Sequence, residues 1–181
     1  LQESKQPSSK RRVVPLNPTK NEHPPGSEEN PVLVFNDCTR LIFKESSIQT
    51  LFFALGNLEN FASPLGELSV AFLEPEPHRQ LHVQFHNNPE PTDVITFQAD
   101  PTTNSAGEIC VSPTFAATYV KSHGGDFAQE LTLYLLHGWL HLCGIDDQEE
   151  LDRRKMRKAE SFCMNHIREI EVVPQFHLKD I

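Results

Sequence analysis

Between Phe127 and Leu142 the residues Phe127, Leu131, Tyr134, Leu135, Gly138 and Leu142 recur at helical spacing, and the pattern stops at Gly144. A helix with one continuous apolar face must bury it against a second layer. Asp126, following Gly124-Gly125, is a good N-cap for this helix, and Gly144 suits the position just past its end, where positive φ favours glycine. Strand-like segments elsewhere supply the second layer: Val32–Phe35, the alternating Glu67–Leu73, Val94–Phe97 and Gly107–Val111. Ser46 and Ser47 offer an N-cap to a helix through Leu51, Phe52, Leu55 and Leu58. Glu74-Pro75-Glu76-Pro77 breaks the second strand, and His78–Phe85 forms a short helix with Leu81 and Phe85 one turn apart. Pro113 suits the first position of another helix. A last helix runs from Gln148 to His166, with Leu151, Met156, Ala159, Phe162 and Cys163 facing inward. Strands interleaved with helices predict a single α/β (α+β) domain, a small mixed four-stranded sheet packed with about five helices.

Of the 181 residues, 38% are hydrophobic and 23% charged, enough for one core with tails to spare. Residues 1–30 are rich in Ser, Pro, Lys, Glu and Asn and are expected to be a disordered tail carrying the basic cluster Lys10-Arg11-Arg12. The folded domain is expected over 31–170, with a short C-terminal tail over 171–181. Cys38, Cys110, Cys143 and Cys163 lack C-x-x-C spacing and read as reduced thiols that fill the core. The net charge of −9 argues against a protein that coats nucleic acid, while leaving room for an enzyme with a local basic patch. No apolar run reaches the ~20 residues of a membrane span, and no secretory h-region is present, so the expectation is a cytoplasmic protein with no membrane partner.

Chemistry concentrates in Leu136–Asp147, LHGWLHLCGIDD. His137 and His141 are four apart and therefore one helical turn apart on the same face, where two imidazoles can converge on one tetrahedral ion. The stop at Gly144 lets the chain reverse and return a third ligand, either Asp146 or Asp147. Both aspartates also begin capping boxes into the last helix, Asp146 with Glu149 and Asp147 with Glu150, so spacing alone leaves each between ligand and cap. Three protein ligands with a fourth position for water is the layout of a catalytic zinc site. Zinc peptidases place a glutamate directly after the first histidine; here that residue is Gly138, which counts against peptide hydrolysis.

The segment resembles the hallmark of the YbeY family, H-G-x-L-H-L-x-G-Y-D-H, at His137, Gly138, Leu140, His141, Leu142, Gly144 and Asp146. The family's P-T-D-V-L-S-F signature has its counterpart in Pro91-Thr92-Asp93-Val94-Ile95-Thr96-Phe97, and its G-D-I in Gly107-Glu108-Ile109. The resemblance implies a zinc-dependent, single-strand-specific endoribonuclease acting in rRNA maturation, at the 16S rRNA 3′ end, and in ribosome quality control, with the ribosome or its proteins as partners. The family's third histidine ligand falls on Asp147, which makes the implied centre His137, His141 and Asp147. A carboxylate is a harder ligand, more welcoming to Mn2+ or Mg2+. The family's phosphate-holding arginine falls on His86, which lacks arginine's permanent charge and fork. His86 and Asp146 are the implied catalytic positions. Thr92 and Asp93 also read as a turn at the strand entry, and His82 with His86 as two exposed helix histidines. The basic run Arg153, Arg154, Lys155, Arg157 and Lys158 reads as a solvated face that could also steer RNA. Two rivals are a hydrolase of another substrate and a non-catalytic, metal-binding ribosomal factor.

Overall fold

The structure, a computed structural model, describes residues 31–99 and 102–179, so the predicted N-terminal tail lies outside the described residues. Four strands, β1 (Val32–Asn36), β3 (Glu67–Phe72), β4 (Val94–Gln98) and β5 (Ser105–Val111), form one sheet in the order β1-β3-β5-β4. The first three neighbours run parallel and β4 closes the edge antiparallel to β5, which makes the sheet mixed, as expected. Five helices pack around it: α1 (Glu45–Gly56), α2 (Pro75–His86), α3 (Pro113–His123), α4 (Phe127–Leu142) and α5 (Glu150–Glu169).

Alternation along the strands decides the two faces. Val32, Val34, Leu68, Val70, Phe72, Ile109 and Val111 point into the main core with α1, α4 and α5. The opposite face carries a smaller cluster, Leu73, Ile95 and Cys110, backed by Leu81 of α2. α2 is pinned there by the buried His78, whose Nε2–H donates to the Cys110 carbonyl at 3.1 Å.

The capped helices behave as their sequences require. Ser112 accepts from the Phe115 N–H to start α3, and Asp126 accepts from the Gln129 N–H to start α4. Three boundaries differ from expectation. α1 takes Lys44 as its N-cap residue, and Ser47 sits inside the helix with its hydroxyl donating to the Lys44 carbonyl. α2 begins at Pro75, because a first-turn N–H has no helical partner to lose and proline is tolerated there. α5 begins at Glu150 with no side-chain cap, so neither predicted capping box forms.

On α5 the buried stripe is Met156, Cys163, Met164 and Ile167. Leu151 is 65% exposed at the helix start, and Phe162 sits at the core rim against Phe61 with ring centroids 6.1 Å apart. Residues after 170 are more than a tail: Phe176 is buried against Phe43 and Phe72, and β6 (His177–Leu178) pairs with β2 (Leu41–Ile42). Such two-residue strands carry too little pattern to be seen in sequence. Among the described residues no helix is long and apolar enough to cross a membrane.

Candidate metal centre

α4 lies directly on β4 and β5. A Cβ at Gly138 would stand 2.8 Å from Ile109 Cγ2 and 3.1 Å from Val94 Cγ2, so only glycine allows this approach. The close packing explains why no glutamate can follow His137. With Gly138 against the sheet, His137 and His141 fall together on one flank of α4.

The end of α4 is a Schellman motif. The Ile145 N–H reaches the Leu140 carbonyl at 3.0 Å and the Gly144 N–H reaches His141 at 2.9 Å, with Gly144 at φ +85°. The reversal brings the Ile145 carbonyl to His141, whose Nδ1–H donates to it at 2.9 Å. Asp146 fixes the next turn, its Oδ1 accepting from the N–H groups of Asp147 (2.7 Å) and Gln148 (3.3 Å). Asp147 is thereby aimed at both rings, with Oδ2 3.7 Å from His137 Nε2 and Oδ1 4.0 Å from His141 Nε2. Thus Asp146 shapes the loop while Asp147 faces the histidines. His137, His141 and Asp147 form the one group among the described residues whose ligand atoms all lie within 4.8 Å of one another, close enough to share one metal ion.

Glu160 is a participant that motif spacing missed. His137 Nδ1–H donates to Glu160 Oε1 at 2.6 Å. Glu160 lies four residues after Met156 and three before Cys163, beside the buried stripe of α5. A carboxylate at the margin of an apolar helix face was the available signal. With both Nδ1 atoms donating elsewhere, both Nε2 atoms carry lone pairs toward each other, 2.9 Å apart. That contact is repulsive unless a proton or a cation sits at it. Burial disfavours charge on His137, yet the Glu160 hydrogen bond and the charges of Glu160, Asp93 and Asp147 outweigh it and raise its pKa above the ordinary value. Burial and the neighbouring His137 instead hold His141 below it. The donor set (two neutral imidazole nitrogens oriented by second partners, plus a carboxylate) fits a divalent ion.

His86 is not in this group. It ends α2 in an exposed position with its ring 5.4 Å from that of His82. Cys143 is part-buried, its thiol pushed up to about 12 by burial, and is no ligand of the group. On α5, Arg153 and Arg154 pair with Glu150 and Lys155 with Asp152, which spends much of the predicted basic face.

Fold and site together define an α/β domain with a candidate metal-binding group drawn from one helix and the turn that ends it. The endoribonuclease YbeY family model matches residues 39–168, and the chain belongs to that family, whose members are nucleases that hydrolyse RNA phosphodiester bonds. It is 41% identical over 110 residues to endoribonuclease YbeY of Protochlamydia amoebophila, covering 59% of this chain and 73% of that protein. The Thermobifida fusca relative of the same name is 36% identical over 103 residues, 51% of this chain and 66% of that one. The fold resembles the solution structure of TM1509 from Thermotoga maritima, with TM-score 0.53 and 21% identity over 75% of this chain and 88% of that chain.

Proposed function

We propose that this chain is a metal-dependent endoribonuclease of single-stranded RNA, with the ion held by His137, His141 and Asp147. The observation that carries the reading is the pair of Nε2 atoms 2.9 Å apart, each presented by an engaged Nδ1 and both facing Asp147. A divalent ion bound there supplies Lewis acidity toward a phosphoryl oxygen and lowers the pKa of water. Zinc suits the two imidazoles, and the carboxylate widens the choice toward Mn2+ and Mg2+.

The protein's own groups do the rest. Glu160 and the Ile145 carbonyl fix the tautomer of each imidazole. Asp146 holds the turn that carries Asp147. His86, at the positive-favouring C-terminal end of α2, is assigned to contact phosphate. The substrate class that the relatives' name indicates is RNA, and ribosomal RNA with a 16S 3′-end site is the proposed target, with ribosomal proteins as partners.

The competing non-catalytic reading draws on the ion-paired basic face of α5. Hydrolysis of a labelled single-stranded RNA by metal-reconstituted protein separates the two. Cleavage lost in His137→Ala/His141→Ala and strongly reduced in Asp147→Ala supports the enzyme. Metal bound at one per chain with no cleavage under any of the three ions supports the binder. Asp147→His, which restores the family's ligand, should shift metal preference toward zinc.

A further inference from the structure

A cleft of about 250 Å³ opens beside His137, between α3 and α5 across α4. Its lining combines the apolar and aromatic Phe115, Tyr119, Leu133 and Tyr134 with the carboxylates Asp93, Glu130 and Glu160 and with His137. Glu130, Leu133, Tyr134 and His137 are one stripe of α4, and Phe115 and Tyr119 face them from successive turns of α3. We infer that this cleft is a nucleobase subsite that receives the base next to the scissile phosphate and prefers guanine, an inference that rests on the endoribonuclease reading.

The chemistry of the lining selects the ligand. Three carboxylates and no Lys or Arg line the cleft, so a phosphate would be repelled, while a neutral heterocycle rich in N–H donors would be held. Aromatic side chains are the usual platforms for an unstacked RNA base, with its Watson–Crick edge left to hydrogen bonding. Tyr119 is 40% exposed and its ring is already ordered by stacking on His123, centroids 4.3 Å apart and 18° between planes. Tyr134 is buried, and burial together with its Glu130 hydrogen bond keeps its hydroxyl protonated. Asp93 uses Oδ1 to accept from Thr92 Oγ1 and the Val94 N–H, which holds the carboxylate rigid and leaves Oδ2 as an acceptor. Guanine is the base whose Watson–Crick edge carries two adjacent donors, N1–H and the N2 amino group, so it gains most from a cleft whose polar groups are carboxylate oxygens. His137 belongs both to the cleft lining and to the candidate metal group, so a base bound here lies beside that group.

The test is fluorescence anisotropy with full-length, zinc-loaded protein and short 2′-O-methyl oligonucleotides that resist cleavage and differ at one position: guanine, hypoxanthine, adenine or uracil. A preference for guanine of about tenfold or more, largely lost with hypoxanthine, is expected. Glu130→Gln should reduce the preference, and Tyr119→Ala, at a part-exposed position, should weaken binding of every base-bearing oligonucleotide. Equal affinity across the series, or no binding at all, overturns the subsite. Hydrolysis of unmodified RNA is scored separately, so a guanine preference without cleavage would sink the nuclease reading alone.

Discussion

At the level of single residues, the candidate centre depends on contacts that hold His137, His141 and Asp147 as much as on those residues themselves. The histidine pair and the following acidic turn are visible in LHGWLHLCGIDD, but the choice between Asp146 and Asp147 is not, because both carry the same capping-box signature. Only the Schellman turn distinguishes them, by spending Asp146 on backbone N–H groups and aiming Asp147 at the imidazoles. Glu160 was hidden for another reason: it is 23 residues from its partner, and no short motif spans that gap. Glu160→Gln should keep the fold and lower metal affinity by roughly 10–100-fold, as loss of an outer-shell partner usually does; a competition titration with a fluorescent zinc chelator would measure it, and unchanged affinity would remove Glu160 from the centre. His78 makes a separate prediction. Burial holds its pKa below the ordinary value, against the hydrogen bond to Cys110 and the charge of Asp93. Above about pH 6.5 it is neutral in both folded and unfolded chains and contributes no pH dependence. As pH falls through that value the unfolded chain takes up a proton the folded chain resists, so stability declines until the lower folded pKa is passed. His137, shifted upward, contributes with the opposite sign. Comparison with His78→Gln isolates the effect: the variant's urea midpoint should fall less between about pH 7.5 and about pH 5.5 than the parent's.

At the level of elements, periodicity identified what was long and regular. The four strands of the main sheet and the buried face of α4 follow from alternation and helical spacing, since each must hide one face. Starts of helices were less visible, because α1 and α5 begin on Lys44 and Glu149 without side-chain caps and so leave no capping signature. The β2–β6 pair is fixed by tertiary packing around Phe176 and not by local pattern. Glycines separate the elements that position the site from those that do not. Gly138→Ala puts a methyl group 2.8 Å from Ile109 and should cost about 1–3 kcal/mol through overpacking, with α4 lifted from the sheet. Gly144→Ala meets no neighbour, but its φ of +85° should cost about 1–2 kcal/mol and loosen the turn carrying Asp147. Gly56, with its nearest contact at 3.6 Å and no positive φ, should accept alanine with little loss or a slight gain. Thermal melts with metal content measured in parallel would rank the three. Equal losses at Gly138 and Gly56 would contradict the close approach of α4 to β5.

Across the whole molecule, the candidate centre ties together α4, the turn after it and, through Glu160, α5, while the main core packs α1, α4 and α5 on the sheet independently of any ion. This differs from a small zinc domain, in which the ion replaces the core and its removal unfolds the chain. Here the apo protein should stay folded and lose only the linkage term. At a free ion concentration a hundred times the dissociation constant that term is about 2.7 kcal/mol. For a domain of this size each kcal/mol moves the midpoint by roughly 2–4 °C, so chelation should lower Tm by roughly 5–11 °C. Far-UV circular dichroism at 25 °C should stay unchanged, because the helices and sheet retain their buried faces. The decrement should vanish in Asp147→Ala, whose Tm should be insensitive to chelator and to added zinc. It should persist in Asp146→Ala, reduced only to the extent that the turn loosens. Loss of the circular dichroism spectrum on chelation would instead mean that the ion, and not the sheet-and-helix core, holds α4 and α5 in place. A chelator-dependent shift of equal size in parent and Asp147→Ala would move the binding site elsewhere in the chain.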